Sequence, residues 1–228
     1  LVGWEMTWGS TCGWYGHMNV LNTKWLEANL SLTLPEFYEE LVSDPDAIAQ
    51  FNHATYLWGN FEDYAFYSKE ADERIQMFEF NGASYEEEYA RCLSRGWHVA
   101  PTHNEDNHSK NWGSASPRQG HLIMGALTKD NVIETLKKRR FYAAANPETF
   151  MEFKINGEWM GSILKNPEEL NFEIEVGNTT KDATGKIRII TENSIVLYNK
   201  DFTKADLVND PKYKGYGAIK VNFTLPAE

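Results

Sequence analysis

Glu5 in Gly3-Trp4-Glu5-Met6-Thr7, His17 in Gly16-His17-Met18-Asn19, His53 in Phe51-Asn52-His53, and Asp106 with His108 in Glu105-Asp106-Asn107-His108 are imidazoles and carboxylates spread over four segments. Hydrolytic metal sites need such groups converging from several strand ends, because a divalent ion must be held while one coordination position stays open for water. Each residue alone has a plainer reading. A lone histidine is more often a satisfied structural group, and Asp-Asn-His is good turn chemistry, since Asp and Asn side chains bond their own backbone. It is the order and placement of all five together that point to a metal site. Two neighbours are read as substrate-binding. His103, three residues before Asp106, is a substrate contact or a surface residue, and Arg118 carries the planar fork that clamps an anionic group, with a surface ion pair as its alternative. His98 and His121 read as strand residues without a role.

These segments, with Gly96-Trp97-His98-Val99-Ala100-Pro101, Trp112-Gly113, Arg118-Gln119-Gly120 and Arg139-Arg140-Phe141-Tyr142-Ala143, resemble the PHP (polymerase and histidinol phosphatase) superfamily, in its carbaryl-hydrolase-like branch. The resemblance covers roughly residues 1 to 145 and implies the carboxyl-terminal portion of a distorted (β/α)7 barrel holding two or three zinc, manganese or iron ions. It implies that Glu5 bridges two ions, that His17 and His53 each serve one, that Asp106 and His108 form the terminal D-x-H pair, and that Glu5 and Asp106 stand at the reaction centre. The implied activity is hydrolysis of a phosphoester, or of a carbamate or related ester, in a small-molecule substrate, with water activated by the ions. The family's first motif, H-x-H, belongs before Glu5, where only four residues stand. The expectation is therefore an incomplete site, and an inactive chain even where a longer parent is an enzyme. Two other readings remain: a degenerate barrel kept as a scaffold, or a carbohydrate- or ligand-binding protein. Trp4, Trp8, Trp14, Trp25, Trp58, Trp97 and Trp112 fall in the first half, several beside the candidate ligands, which favours a hydrolase over a sugar-binding sheet.

The elements that must position these residues are legible in part. Ser84-Tyr85-Glu86-Glu87 has the capping-box form, followed by Tyr89, Cys92 and Leu93 at helical spacing and closed by Gly96. Trp97 to Ala100 then reads as a short buried strand ending at Pro101, and residues 102–108 as a polar loop. The same cadence recurs in a helix from Pro35 to about Leu41 before a strand at Ile48 to Asn52, and in a helix capped by Thr128 with Val132, Ile133 and Leu136. Strands are also expected at Ile75 to Phe80 and His121 to Leu127. Alternating strands and helices predict a mainly parallel sheet with its reactive groups at the carboxyl-terminal strand ends.

Beyond Asn146-Pro147-Glu148 the period changes to two: Met151, Phe153, Ile155; Leu170, Phe172, Ile174, Val176; Ile219, Val221, Phe223, Leu225. The expected division is a barrel domain over 1–146 and a small antiparallel, β-sandwich-like domain over 147–228. The net charge of -11 and pI of about 5.1 argue against a nucleic-acid partner, although bound cations invert the field inside one pocket. Lys137-Lys138-Arg139-Arg140 reads as a helix end favoured by its dipole. No apolar run approaches the roughly 20 residues of a membrane span. Cys12 and Cys92 match no metal or redox spacing. The chain opens without an initiator methionine or a basic leader and reads as a fragment; a periplasmic or extracellular setting is weakly preferred, and oligomeric state is left open.

Overall fold

The computed structural model describes residues 3–8, 15–24, 32–55, 57–111, 113–114, 119–178, 184–209, 211 and 217–227; the side chains of 3–8 and 119 fall outside that description. The fold is mixed α/β and rich in strand, with several sheets, none of them closed.

The first sheet runs β1 (Gly3–Trp8), β2 (Gly16–Leu21), β3 (Ile48–Asn52), β4 (Ile75–Glu79) and β5 (Ala100–Thr102), in that spatial order. Only β3–β4 and β4–β5 pair in parallel; β1–β2 and β2–β3 are antiparallel, which corrects the expectation of a mainly parallel sheet. For the first pair the reason is length. The link from Trp8 to Gly16 falls short of the dozen or more residues that a parallel crossover requires. β5 starts later than expected because Pro101, which has no N–H, fits a strand paired on one side only. β5 is the outermost strand of this sheet.

One face of the sheet holds the larger apolar cluster of the described residues. Met18, Val20, Ala49, Phe51 and Phe78 pack on α1 (Leu34–Ser43), which contributes Leu34, Phe37, Tyr38 and Leu41, and on Trp97, whose indole N–H donates to Tyr64 O at 2.9 Å. Pro35 opens α1, and Thr33 N donates to Glu36 Oε2 at 2.7 Å. Between β3 and β4 lie the turns α2 (Phe61–Tyr64) and α3 (Lys69–Asp72). All four residues of α2 have positive φ, a left-handed turn that costs roughly 1–2 kcal/mol per residue. It is held by complete burial of Phe61 and Tyr64, by Phe61 N donating to Tyr15 O at 2.6 Å, and by the Asn60 side chain accepting from Asp63 N.

After β4, a single 3-10 turn (Ala83–Tyr85) leads into α4 (Glu86–Ser94), then β5. The short pair β6 (Gln119–Leu122) and β7 (Phe141–Ala144) packs beside β5, with α5 (Lys129–Lys137) between them; the Thr128 side chain accepts from Asn131 N at its start. The remaining strands are antiparallel. β8 (Phe150–Ile155), β9 (Glu158–Trp159), β10 (Glu169–Asn178), β13 (Val208–Asn209) and β14 (Gly217–Pro226) form one sheet, and β11 (Gly185–Ile190) with β12 (Val196–Phe202) forms a hairpin. Ile187, Ile189, Tyr198 and Phe202 of the hairpin share a cluster with Ile174, Ile219, Val221 and Phe223 of the sheet. Tyr198 and Phe223 stack at 3.9 Å between ring centres. Among the described residues no helix is long and apolar enough to cross a membrane.

Candidate functional site

The second face of the first sheet changes character along its strands. Near the start of β3, β4 and β5 it is apolar, with Ile48, Met77 and Ala100 packed on Leu136, Phe141, Val132 and Ile133. Near their ends it is polar and still buried: Gln50, Asn52, Glu79 and Thr102. A buried polar group must be paired. Gln50 Nε2 donates to Asn52 Oδ1 at 2.8 Å, and Thr102 Oγ1 donates to Gln50 Oε1 at 2.8 Å. β2 runs against β3, so His17 at its beginning lies on the same edge as the end of β3; the register pairs His17 with Asn52.

His53 follows β3 directly, with φ +25, sterically costly for a residue bearing a Cβ. Its backbone N–H donates to Glu79 Oε2 at 2.9 Å and its Nδ1 lies 3.1 Å from the same oxygen. Glu79 is 1% exposed. Because Oε2 already accepts from the backbone N–H, the same oxygen accepts from the ring, which places the His53 proton on Nδ1 and leaves Nε2 with a lone pair. That nitrogen faces His17 Nδ1 at 2.8 Å. The result is a hydrogen-bonded run, His17 to His53 to Glu79, continued by Asn81 Nδ2 donating to Glu79 Oε1 at 2.6 Å. Trp58, half exposed, stands over both imidazoles at 6.3 and 6.2 Å between ring centres.

Gly16 makes this placement of His17 possible. Its φ is +143, and a Cβ there would lie 2.6 Å from Phe61 Cζ, inside the ring that the left-handed turn presses against β2. A side chain at position 16 would therefore push apart the two segments that bracket the histidines.

Of the sequence-selected residues, His17 and His53 meet. Glu5 falls in β1 with its backbone opposite Asn19, in the cross-strand column 5–19–50; its side chain lies outside the described residues, as does all of Arg118. Asp106 and His108 are on the loop after β5, exposed, and bond each other at 3.0 Å. Tyr85 links that loop to Glu79: burial first, then the Glu79 carboxylate, then Asp106, raise its phenol above the ordinary tyrosine range, against the hydrogen bond to Asn81. His103 is buried at the end of β5 rather than on the surface. Asp106 also has positive φ. Sequence reading overlooked Glu79 and Asn81. The available signal was a carboxylate closing a buried strand whose register continues to the end of β3, just before His53.

Among the described residues, no three His, Cys, Asp or Glu side chains converge as they stand on one ion position. The donor types are nevertheless those a divalent ion takes. His53 Nε2 and His17 Nδ1 lie 2.8 Å apart in direct contact, and a carboxylate holds the far nitrogen of His53, the arrangement by which outer groups orient metal-ligating histidines. Comparison of the chain with protein-family models, with curated proteins and with solved structures gives no match in any of the three.

Proposed function

We propose that this chain is the greater part of a PHP-type metal-dependent hydrolase, its first sheet and the β6–β7 pair belonging to a distorted (β/α)7 barrel and residues 147–228 to a sandwich-like domain. The observation that carries the proposal is the run His17–His53–Glu79 at the strand ends, joined to the motif order of the sequence. His17 Nδ1 and His53 Nε2 would hold a zinc, manganese or iron ion, with Glu5, Asp106 and His108 as the further donors that the resemblance implies. A bound ion supplies Lewis acidity, lowering the pKa of water and polarising the scissile phosphoester, carbamate or ester. The protein's own contributions are distinct. Glu79 holds the His53 tautomer, the Gln50–Asn52–Thr102 network keeps the strand ends in register, and Trp58 offers an apolar wall to a small-molecule substrate.

Elemental analysis after equilibration with zinc or manganese, on the wild-type chain and on His53→Ala, tests this reading. Metal near one equivalent in the wild type and lost in the variant is the expected result. Equal metal content in the two proteins, or none in either, would remove the ligand role from this pair.

A further inference from the structure

A cavity of about 710 Å³ lies between β5 and β7 on one side and the antiparallel sheet with its β11–β12 hairpin on the other. That volume is in the usual range of small-molecule sites, about 300–1,000 Å³. It is separate from the histidine run: the cavity is met by His98 and Val99 just before β5 and by Ala100 and Pro101 within it, whereas His103 follows the far end of that strand. The wall is chiefly aliphatic and aromatic, with Phe141, Met151, Phe153, Ile174, Val176 and Ile187 prominent.

The ionisable groups of the wall are biased. In a chain with 33 acidic residues, the described residues lining the cavity include no Asp and no Glu, while Arg139, Lys186, Arg188 and His98 all contribute. Lys186 and Arg188 are already engaged with Asp201 and Glu86. Arg139 is paired as well, but it is the most enclosed of the three: Nη2 donates to Asp72 O at 3.2 Å and lies 3.6 Å from Asp72 Oδ2, and Nε makes no hydrogen bond among the described residues. Asp72 is shared with His98, whose backbone N and Nδ1 lie 2.7 and 2.8 Å from its two oxygens, so one carboxylate serves two bases. A guanidinium that shares its carboxylate with a second base keeps attraction for an incoming anion.

The backbone shows that the seam is built to close here. Gly161 has φ +86, and a Cβ on it would fall on the carbonyl oxygen of Lys138 and crowd that of Arg139. Only glycine lets the loop after β9 approach the segment that carries Arg139, which itself has φ +53.

We propose that this cavity binds an amphipathic small molecule with a long apolar body and a terminal carboxylate, the body against Phe153, Ile174 and Val176 and the carboxylate at the Arg139 guanidinium. The proposal does not rest on the hydrolase reading. A bidentate guanidinium–carboxylate pair in a largely apolar surrounding gives both affinity and head-group choice.

Isothermal titration of the wild-type chain with dodecanoate below its micelle concentration, against dodecan-1-ol and dodecyltrimethylammonium, tests the proposal. Saturable binding of one dodecanoate per chain is expected, with the alcohol weaker by about tenfold or more, as loss of a charged hydrogen bond predicts, and the cation weaker still. Arg139→Gln should bring dodecanoate down to the affinity of the alcohol, and Val176→Trp, which fills the cavity and leaves Arg139 in place, should abolish both. Absence of saturable binding, equal affinity for the three head groups, or undiminished binding by folded Val176→Trp would each overturn the assignment. So would a self-association that excludes dodecanoate, because a second copy would then be the occupant. If Arg139→Gln does not fold, the head-group ranking in the wild type and Val176→Trp decide the matter.

Discussion

Glu79→Gln is the substitution that separates positioning from folding. The carboxylate accepts from His53 N at 2.9 Å, from His53 Nδ1 at 3.1 Å and from Asn81 Nδ2 at 2.6 Å. A glutamine keeps the shape and can still accept from His53 through Oε1, but its amide nitrogen then faces the Asn81 donor. That clash has a local remedy. Asn81 Oδ1 is buried and makes no hydrogen bond among the described residues, so rotating the Asn81 amide presents an acceptor to the new N–H. The cost to the fold is therefore about 1 kcal/mol, a melting shift of about 2–4 °C for a chain of this size. The effect on His53 is larger, because a neutral amide neither raises the basicity of the ring nor fixes its tautomer as firmly. Loss of such an outer partner weakens metal affinity by about 10–100-fold, which is about 1.4–2.7 kcal/mol. Competitive titration of zinc against a chromogenic chelator, run beside thermal melts of wild type, Glu79→Gln and His53→Ala, measures both quantities. The reasoning fails if folded Glu79→Gln holds zinc within about threefold of wild type while His53→Ala loses it, since a positioning partner is worth more than that.

Gly16→Ala places a methyl against the Phe61 ring and forces an L-residue to φ +143, so a loss of about 1–3 kcal/mol is expected in urea unfolding; Phe61→Leu in the same chain should return part of it, and additive losses would refute the contact. Asp44 is nearly buried. Burial alone would raise its carboxyl, but hydrogen bonds from Lys24 N, Thr23 Oγ1 and Asp46 N together hold it below the ordinary range. A carboxylate depressed in the folded state contributes stability above its unfolded pKa, near 3.9, and loses it as pH falls through the folded value. Asp44→Ala should thus cost about 1–3 kcal/mol at neutral pH and shrink the acid-side decline, and a variant whose stability runs parallel to wild type down to pH 2 would contradict this. Burial, with the charges of Asp72 and Glu88 behind it, pushes the Cys92 thiol well up; in a Cys12→Ser chain, Ellman's reagent at pH 8 should leave it unmodified until denaturant is added, and stoichiometric reaction of that native protein would count against its enclosure.

Helix α1 and helix α5 were readable because their signals are local: Pro35 in a first turn, Thr128 as an N-cap, apolar residues at helical spacing. Of the strands after Asn146, β8, β10 and β14 were readable for the same reason, since period-two alternation is written in neighbouring residues, whereas β9, β11, β12 and β13 were not read. The antiparallel start of the first sheet was not, because pairing direction depends on how a connection travels. Glu79 escaped notice on similar grounds. Its partner His53 is 26 positions away and meets it only through the parallel pairing of β3 with β4. Asp106 and His108 were singled out as a pair and do bond each other, but two residues apart in one loop they needed no tertiary structure to do so. His17 with His53 is the converse case: both were chosen as members of one centre, and only the reversed run of β2 brings them to one edge.

The inner face of the first sheet passes from Ile48, Met77 and Ala100 to Asn52, Glu79 and Thr102 within a few positions of each strand. Tolerance to substitution should thereby divide along the chain direction. The opening residues of a strand are constrained by volume, whereas its closing residues can be exchanged at the expense of a hydrogen bond. A library confined to positions 52, 53, 79, 102 and 103 would vary the polar strand ends around the histidine pair while Ile48, Met77 and Ala100 keep the apolar half of the face unchanged.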